Sequence, residues 1–224
     1  MTGATRRWPA ALVALLLAGC AHAGEPTSVP SDNAQARHIN PANIKRVGRE
    51  LPLGYEVTGV PGPAEPPALW GLGTGWTADP PRCAALADPG GGHGVSAQGI
   101  SGSGAGGIVH AVVAAAPTGL VALDAALVAG CPQWSMTNQR ARARVHLIEA
   151  PRIDGVQTLG MVTDTMTSVE GGNEIASRAN TFTAYLGGYY AFTTLITDPG
   201  APHPPLAPQF AADLLVKSVA ALRS

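Results

Sequence analysis

The sequence pattern with the most direct chemical meaning is the glycine-rich run Gly102 to Gly107, GSGAGG, which matches GxGxxG. In dinucleotide-binding folds this pattern follows a strand and opens a helix, whose N-terminus receives the pyrophosphate. Here the run leads into IVHAVV (108–113), an apolar, β-branched segment that predicts a buried strand. We therefore interpret the glycines as a flexible hairpin or strand-entry loop, and we predict no cofactor.

Ser101 and Ser103, within and beside this run, raise the question of a serine hydrolase. A nucleophile elbow requires G-x-S-x-G because small residues on both sides permit its strained turn, and neither serine satisfies that pattern. A triad can still form without a motif, since triads are defined by geometry. Its members would come from Ser101 or Ser103, His110 or His146, and Asp154 or Asp164. A motif-free envelope hydrolase is therefore an alternative, and no catalytic residue is assigned.

The histidines do not suggest a metal site. They are scattered, without an HxH, HExxH or carboxylate-rich pattern. The six are His22, His38, His93, His110, His146 and His203. We interpret those in tether and loop segments as solvated side chains and predict no bound metal.

One polar pattern does point to a ligand. In RARARVHLI (140–148) polar and apolar residues alternate, which predicts a half-buried strand. Its polar face carries Arg140, Arg142, Arg144 and His146. Arginine forks suit phosphate and carboxylate groups, so this face is a candidate site for an anionic ligand or a lipid headgroup. The alternative is a solvated sheet face with Asp, Glu or Thr partners on neighbouring strands.

Three tryptophans, Trp70, Trp76 and Trp134, bracket the cysteines Cys83 and Cys131. Their rings are able to line an apolar cleft, and we retain Trp70 and Trp76 as candidate ligand contacts. The alternative is that the rings pack against a disulfide.

The N-terminus, MTGATRRWPAALVALLLAGC, has the layout of an export signal. A charged start precedes a short apolar run, far below the about 20 residues that a membrane-spanning helix needs. The last four residues, LAGC, resemble the bacterial lipobox. We predict a signal peptide at 1–19, a lipid on Cys20 and a flexible tether at 20–39, which would anchor the protein to the outer face of the cell membrane. An ordinary signal peptide with an incidental cysteine is the alternative.

Lipidation of Cys20 would leave Cys83 and Cys131 as an even pair. In an exported domain such a pair suggests a disulfide, and two buried free thiols are the alternative.

The net charge of −1 gives no electrostatic case for nucleic-acid binding. The remaining length, 40–224, fits a single domain.

The secondary-structure signals predict helices early, centrally and at the end of the chain. The clearest element is the hairpin TFTAYL-GG-YYAFTTLIT, where Gly187-Gly188 can form a two-residue turn that places Tyr185 opposite Tyr190 and Thr183 opposite Phe192. The other predicted elements are helix 41–50, strand 53–60, a long ordered loop 61–93, strand 108–113, helix 118–130, strand 156–169 and helix 208–223. This arrangement predicts an α+β fold, an antiparallel sheet with helices packed on one face.

Several segments carry a family resemblance: the lipobox, the Pro/Ser tether, NPANIKRV, LPLGYEV and GCPQWS after paired cysteines. Together they resemble an actinobacterial (mycobacterial) lipoprotein family of unknown function. The layout is also distantly similar to the extracellular sensor domain of PknH-type serine/threonine kinases. That resemblance implies an antiparallel sheet with helices around a cleft for an unidentified ligand. The sensor domains carry two disulfides, whereas this chain has only Cys83 and Cys131 to pair.

These observations lead to one functional expectation. We expect a non-catalytic, sensor-like binding domain, anchored in the envelope, with a cleft for a small or lipidic envelope molecule. A motif-free hydrolase and a protein-interaction module, whose partner the sequence does not identify, are the alternatives.

Overall fold

The structure, a computed structural model, describes residues 38–60, 62, 64–92, 96–116 and 122–224. Nine strands in this part of the chain form one sheet, and each neighbouring pair is antiparallel. The strands are β1 (Glu56–Gly59), β2 (Thr77–Asp79), β3 (Ala97–Gly104), β4 (Gly107–Ala115), β5 (Gln133–Thr137), β6 (Ala141–Ile148), β7 (Gln157–Ser168), β8 (Glu174–Tyr185) and β9 (Tyr189–Thr197). Their order across the sheet is β1-β3-β4-β9-β8-β7-β6-β5-β2.

The helices of the described chain differ greatly in length. They are an N-terminal 3₁₀ helix (Pro41–Glu50), α1 (Pro66–Leu69), a 3₁₀ turn (Pro81–Cys83), α2 (Ala84–Ala87), α3 (Ala125–Gly130) and α4 (Pro208–Leu222). The longest, α4, begins at Pro208, whose fixed φ suits the first helical position. The N-terminal helix begins after Asn40, whose side chain accepts a hydrogen bond from the Ala42 amide (3.1 Å).

The two longer helices pack on one face of the sheet, which we call the helical face. Since side chains alternate along a strand, Val109, Ala111 and Val113 of β4 all point to this side. They share a buried cluster with Leu214 and Leu215 of α4. The Asn40 amide donates to the Leu222 carbonyl (2.9 Å), which joins the N-terminal helix to the end of α4.

The opposite face is covered by residues 64–92, which we call the covering segment. Trp70 is buried in a cluster that also contains Ala143 and Val145 of β6. The Trp70 indole N–H donates to the Thr181 hydroxyl (2.9 Å), and Cys83 forms a disulfide with Cys131. A buried ring, a hydrogen bond and a covalent link therefore hold this segment on the sheet.

Several sequence predictions are confirmed. The fold is α+β with an antiparallel sheet and one disulfide, Cys83–Cys131. The hairpin has the predicted register, because Tyr185 faces Tyr190 and Thr183 faces Phe192. At its turn the Leu186 amide donates to the Tyr189 carbonyl (2.8 Å), and Gly187 takes the positive φ of 73°.

Other element boundaries were predicted wrongly. The first strand begins at Glu56 and not at Leu53, because a turn at Gly54, with φ of 85°, precedes it. The loop predicted for 61–93 contains α1, β2, the 3₁₀ turn and α2, and the strands β3 and β5 were not predicted. Within the described part of the predicted helix 118–130, α3 starts only at Ala125, where Asp124 caps it.

The glycine-rich run lies in the β3–β4 hairpin. Gly102 and Gly104 belong to β3, and Gly107 opens β4. A Cβ atom at Gly102 would collide with the Leu51 side chain, and one at Gly104 would collide with the Tyr55 ring. The glycines therefore give room to two packed side chains, and the run joins two strands without opening a helix.

Some predictions fall on residues beyond the description. The signal peptide, Cys20, the tether as far as residue 37, His93 and residues 118–121 all lie outside the described residues. In the part that is described, no helix combines the length and the apolar character that crossing a membrane requires.

Candidate functional site

A cavity of about 1080 Å³ lies within the covering segment. Every residue that lines it comes from positions 65–92. The lining includes the Trp76 ring and small or apolar side chains such as Ala78, Pro81, Ala84 and Ala85. We call this cavity the Trp76 groove. Its size and composition are those of a site for an organic ligand.

Local sequence explains how the groove forms. Gly73 and Gly75 have φ of 64° and 72°, a conformation that other residues rarely adopt, and they turn the chain just before Trp76. After β2, the 3₁₀ turn ends at Cys83, where the disulfide fixes the chain to Cys131 at the entry to β5. The groove is therefore made of short helices, turns and the edge strand β2, and the disulfide links this part of the chain to the entry of β5.

The charged residues in the described lining of the groove are Glu65, Arg82 and Asp88. Asp88 is buried, and its two carboxylate oxygens accept hydrogen bonds from the amides of Gly90 (2.9 Å) and Gly92 (2.5 Å). The Arg82 guanidinium donates to the Gly130 carbonyl (3.3 Å). Glu65 also contributes to the lining. The described lining therefore combines the charged residues Glu65, Arg82 and Asp88 and the hydroxyl residues Thr74 and Thr77 with the Trp76 ring and small apolar side chains.

The two ligand-contact tryptophans predicted from sequence have different positions. Trp70 is only 2% exposed and lies in the same buried cluster as Trp134 and the disulfide. Trp76 is half-buried and lines the groove itself. Of this pair, Trp76 is the one that a ligand in the groove would contact directly.

The predicted arginine face lies on the other side of the sheet. Ala143 and Val145 point to the covering segment, so Arg142, Arg144 and His146 point to the helical face. The sheet therefore separates this face from the Trp76 groove. Arg140 lies in the turn before β6, where its amide donates to the Asn138 side chain (2.8 Å).

Acidic partners stand on the neighbouring strands of the arginine face. Arg142 forms an ion pair with Glu174 (2.8 Å), and Arg178 forms one with Asp164 (2.7 Å). Arg144 stands opposite Asp164 in the register of β6 and β7. Each of these exposed ion pairs neutralises one arginine, Arg142 or Arg178. The ligand role of the arginine face stays a prediction.

The residues considered for a hydrolase do not assemble into a triad. Ser101 and His110 face each other across β3 and β4, but no hydrogen bond joins them in the described structure. Burial lowers the pKa of His110 to about 4. His146 and Asp164 lie on the helical face, on the other side of the sheet from His110.

Two smaller cavities lie elsewhere. One of about 520 Å³ is lined by 148–152 and the first turn of α4, and one of about 270 Å³ lies beside the β3–β4 turn. Among the described residues, no group of three or more His, Cys, Asp or Glu side chains is placed to hold a metal ion.

Most residues of the groove were not predicted from the sequence. Glu65, Arg82 and Asp88 stand at irregular spacing in a Gly/Pro-rich stretch, where periodicity carries no information. The available signal was the run GLGTGW (71–76), which places a large aromatic ring directly after turn-forming glycines. Such a ring is held at a surface loop, where ligand contacts are common.

Comparison with protein families identifies the domain. A family model for a domain of unknown function, DUF5642, matches residues 40–223. The chain belongs to the DUF5642 family. No curated protein matches this DUF5642 chain.

A solved structure supports the fold of the DUF5642 domain. It is the X-ray structure of a putative uncharacterized protein (Rv0999 ortholog) from Mycobacterium smegmatis, with a TM-score of 0.63 and 20% sequence identity. The match covers 84% of this chain and 100% of the other. At this identity the likeness concerns the fold alone, and together with the family match it fits an actinobacterial family of unknown function.

Proposed function

We propose that this DUF5642 protein is a non-catalytic binding domain of the cell envelope that holds a small apolar or amphiphilic molecule in the Trp76 groove. The observation that carries the proposal is the groove itself, a cavity of about 1080 Å³ lined by Trp76 and small apolar side chains. Ligand pockets are typically concave, mostly apolar and furnished with a few placed polar groups.

The way in which the groove is fixed supports binding over a purely structural role. A loop that has only a structural role does not require a cavity. The covering segment contains one, and it is linked to the rest of the domain by a disulfide and by the Trp70–Thr181 hydrogen bond (2.9 Å). Such fixation lowers the entropy that a binding site loses when its ligand arrives. The covering segment thus has the pre-organisation that a binding site needs.

The envelope location is proposed from the N-terminal sequence and the cysteines. The lipobox-like LAGC ending at Cys20 would supply a lipid anchor at the outer face of the membrane. A disulfide between Cys83 and Cys131 suits an oxidising, exported compartment. A sensor-like role, by analogy with the PknH-type sensor domains, remains a prediction that requires knowledge of the ligand.

Native mass spectrometry of the protein purified from its host envelope tests the proposal. We expect a reproducible adduct mass on the wild-type protein, and loss of that adduct in Trp76→Ala. Ile175→Ala is the control, because Ile175 is an exposed apolar side chain outside the groove, on β8. It should keep the adduct.

Two results would contradict the proposal. The first is a clean mass without adduct in the wild-type protein, which would argue against ligand carriage. The second is an adduct that Trp76→Ala retains in full, which would place the ligand elsewhere.

A further inference from the structure

The strand β2 stands at one side of the sheet, and the Trp76 groove runs along its outer edge. Among the described strands, β2 pairs with β5 alone. The consecutive residues Trp76, Thr77 and Ala78 all line the groove. Because successive side chains of a strand point to opposite faces, a cavity that contacts both Thr77 and Ala78 lies beside the edge of the strand and not over one face.

The hydrogen bonds of β5 show in which direction each of its backbone groups points. The Leu147 amide donates to the Pro132 carbonyl (3.0 Å), and the Asn138 amide donates to the Ala141 carbonyl (2.9 Å). The even-numbered residues of β5 therefore direct their backbone groups to β6, since these directions alternate along an antiparallel strand. The odd-numbered residues direct theirs to β2.

This alternation determines which backbone groups of β2 face the groove. The odd-numbered residues of β5 stand opposite Thr77 and Asp79, so these two residues bond to β5. Ala78 lies between them and directs its N–H and C=O away from β5. Within the described residues, no backbone hydrogen bond joins β2 to any segment other than β5. The edge of β2 thus offers one donor and one acceptor, both on Ala78, beside the groove.

A free N–H and C=O at the edge of a sheet are a template for a further strand. Open-ended extension of this edge is opposed, because β2 has only three residues and is followed by Pro80 and Pro81. The groove beside the strand is lined by small residues, among them Ala84 and Gly91. It has room for the backbone of a single extended chain.

We infer that the ligand of the Trp76 groove is a short peptide that binds in an extended conformation along the edge of β2. Its backbone accepts a hydrogen bond from the Ala78 N–H and donates one to the Ala78 C=O, and an apolar side chain contacts Trp76. In strand addition of this kind the main-chain bonds give affinity and the side-chain contacts give specificity. A peptide with apolar side chains is amphiphilic, so the inference rests on the proposed binding function and names the ligand class for that same site.

Calorimetric titration with N-methylated peptides tests this inference. The parent probe is Ac-Thr-Val-Phe-Val-Thr-NH2, and each further probe carries one backbone N-methyl group, at each position in turn. The protein is the full chain in nanodiscs of zwitterionic lipid, with empty nanodiscs as the blank. We expect methylation at one position to weaken binding at least tenfold, because it removes the donor to Ala78. Methylation at the positions next to it should weaken binding less than threefold, since neighbouring N–H groups of an extended chain point in opposite directions.

Two proline variants test the same hydrogen bonds from the side of the protein. Ala78→Pro removes the N–H that faces the groove and leaves the bonds between β2 and β5 in place, so the parent peptide should bind at least tenfold more weakly. Val57→Pro is the matched control on β1, at the other side of the sheet. There the Val60 amide donates to the Gly99 carbonyl (3.0 Å), so Val57 also directs its N–H outward. This control should bind the peptide as the wild type does.

The remaining outcomes overturn different statements. Equal binding of all N-methylated probes, with loss of binding in Trp76→Ala, refutes strand pairing and leaves the groove as a binding site. Equal losses in Ala78→Pro and Val57→Pro also count against pairing at β2. If Ala78→Pro does not fold, which circular dichroism shows, the N-methyl series alone decides. No binding of any peptide refutes the peptide ligand, and the adduct experiment above then decides independently whether the groove binds another molecule.

Discussion

The disulfide is expected to hold the covering segment, and with it the Trp76 groove, on the sheet. The perturbation that tests this is the double variant Cys83→Ala and Cys131→Ala, which removes the cross-link and leaves two small apolar side chains in its place. Both cysteines are completely buried, so the change acts in the interior of the covered face.

The size of the effect follows from the length of the closed loop. The two cysteines are 48 residues apart. On the chain-entropy model, opening a loop of this length stabilises the unfolded state by about 4 kcal/mol. For a domain of this size that free energy corresponds to a fall of about 8–16 °C in Tm.

Urea denaturation of the double variant and of both single variants measures the free energies of unfolding. If the cross-link is the source of stability, each single variant should lose about as much as the double, because either change opens the loop. Losses that add across the two singles would mean that the sulfur atoms act through packing instead. A total loss below about 1 kcal/mol would refute the loop-closure argument.

Two further predictions concern the half-buried His110 and the buried Trp70, both on the covered face. Burial lowers the pKa of His110 to about 4 from 6.5, so the unfolded chain binds a proton in this interval that the folded chain does not, and stability falls as the pH drops from 6.5 to 4. His110→Gln should remove up to about 3 kcal/mol of that acid sensitivity, measured by denaturation across this pH range, and an unchanged pH profile would contradict it. Trp70→Phe deletes the donor to Thr181 and leaves a small cavity, and we expect a loss of about 2 kcal/mol. Equal stability of this variant and the wild type, by urea denaturation, would show that the hydrogen bond does not hold the covering segment.

The regular elements were the most predictable part of this protein. The alternation in β6 and the hairpin of β8 and β9 were readable because a strand repeats every two residues and Gly187-Gly188 marks the turn. The helix α4 was readable from its apolar stripe and its opening proline. In these segments local pattern and tertiary packing agree.

Prediction failed where local pattern carries little information. The strands β2 and β5 are three and five residues long and lie at one side of the sheet, where short segments give no usable period. The covering segment is rich in Gly and Pro, and its shape depends on Trp70, the disulfide and the sheet beneath it. Arg142, Arg144 and His146 share one face of β6 as predicted, whereas Arg140 lies in the turn before the strand. The acidic side chains Glu174 and Asp164 come from strands that only the fold brings alongside.

The strands β6, β8 and β9, the helix α4 and the cysteine pair were predictable without the fold, because each depends on residues close together in the chain or on their number. The export signal stays a prediction. The tertiary structure decided the candidate site. It separated the arginine face from the tryptophans by the thickness of a sheet, and it brought Glu65, Trp76 and Asp88 around one groove. The groove is formed by very short helices, turns and a three-residue strand, whose conformation depends on long-range contacts and a cross-link more than on the local preferences of their residues.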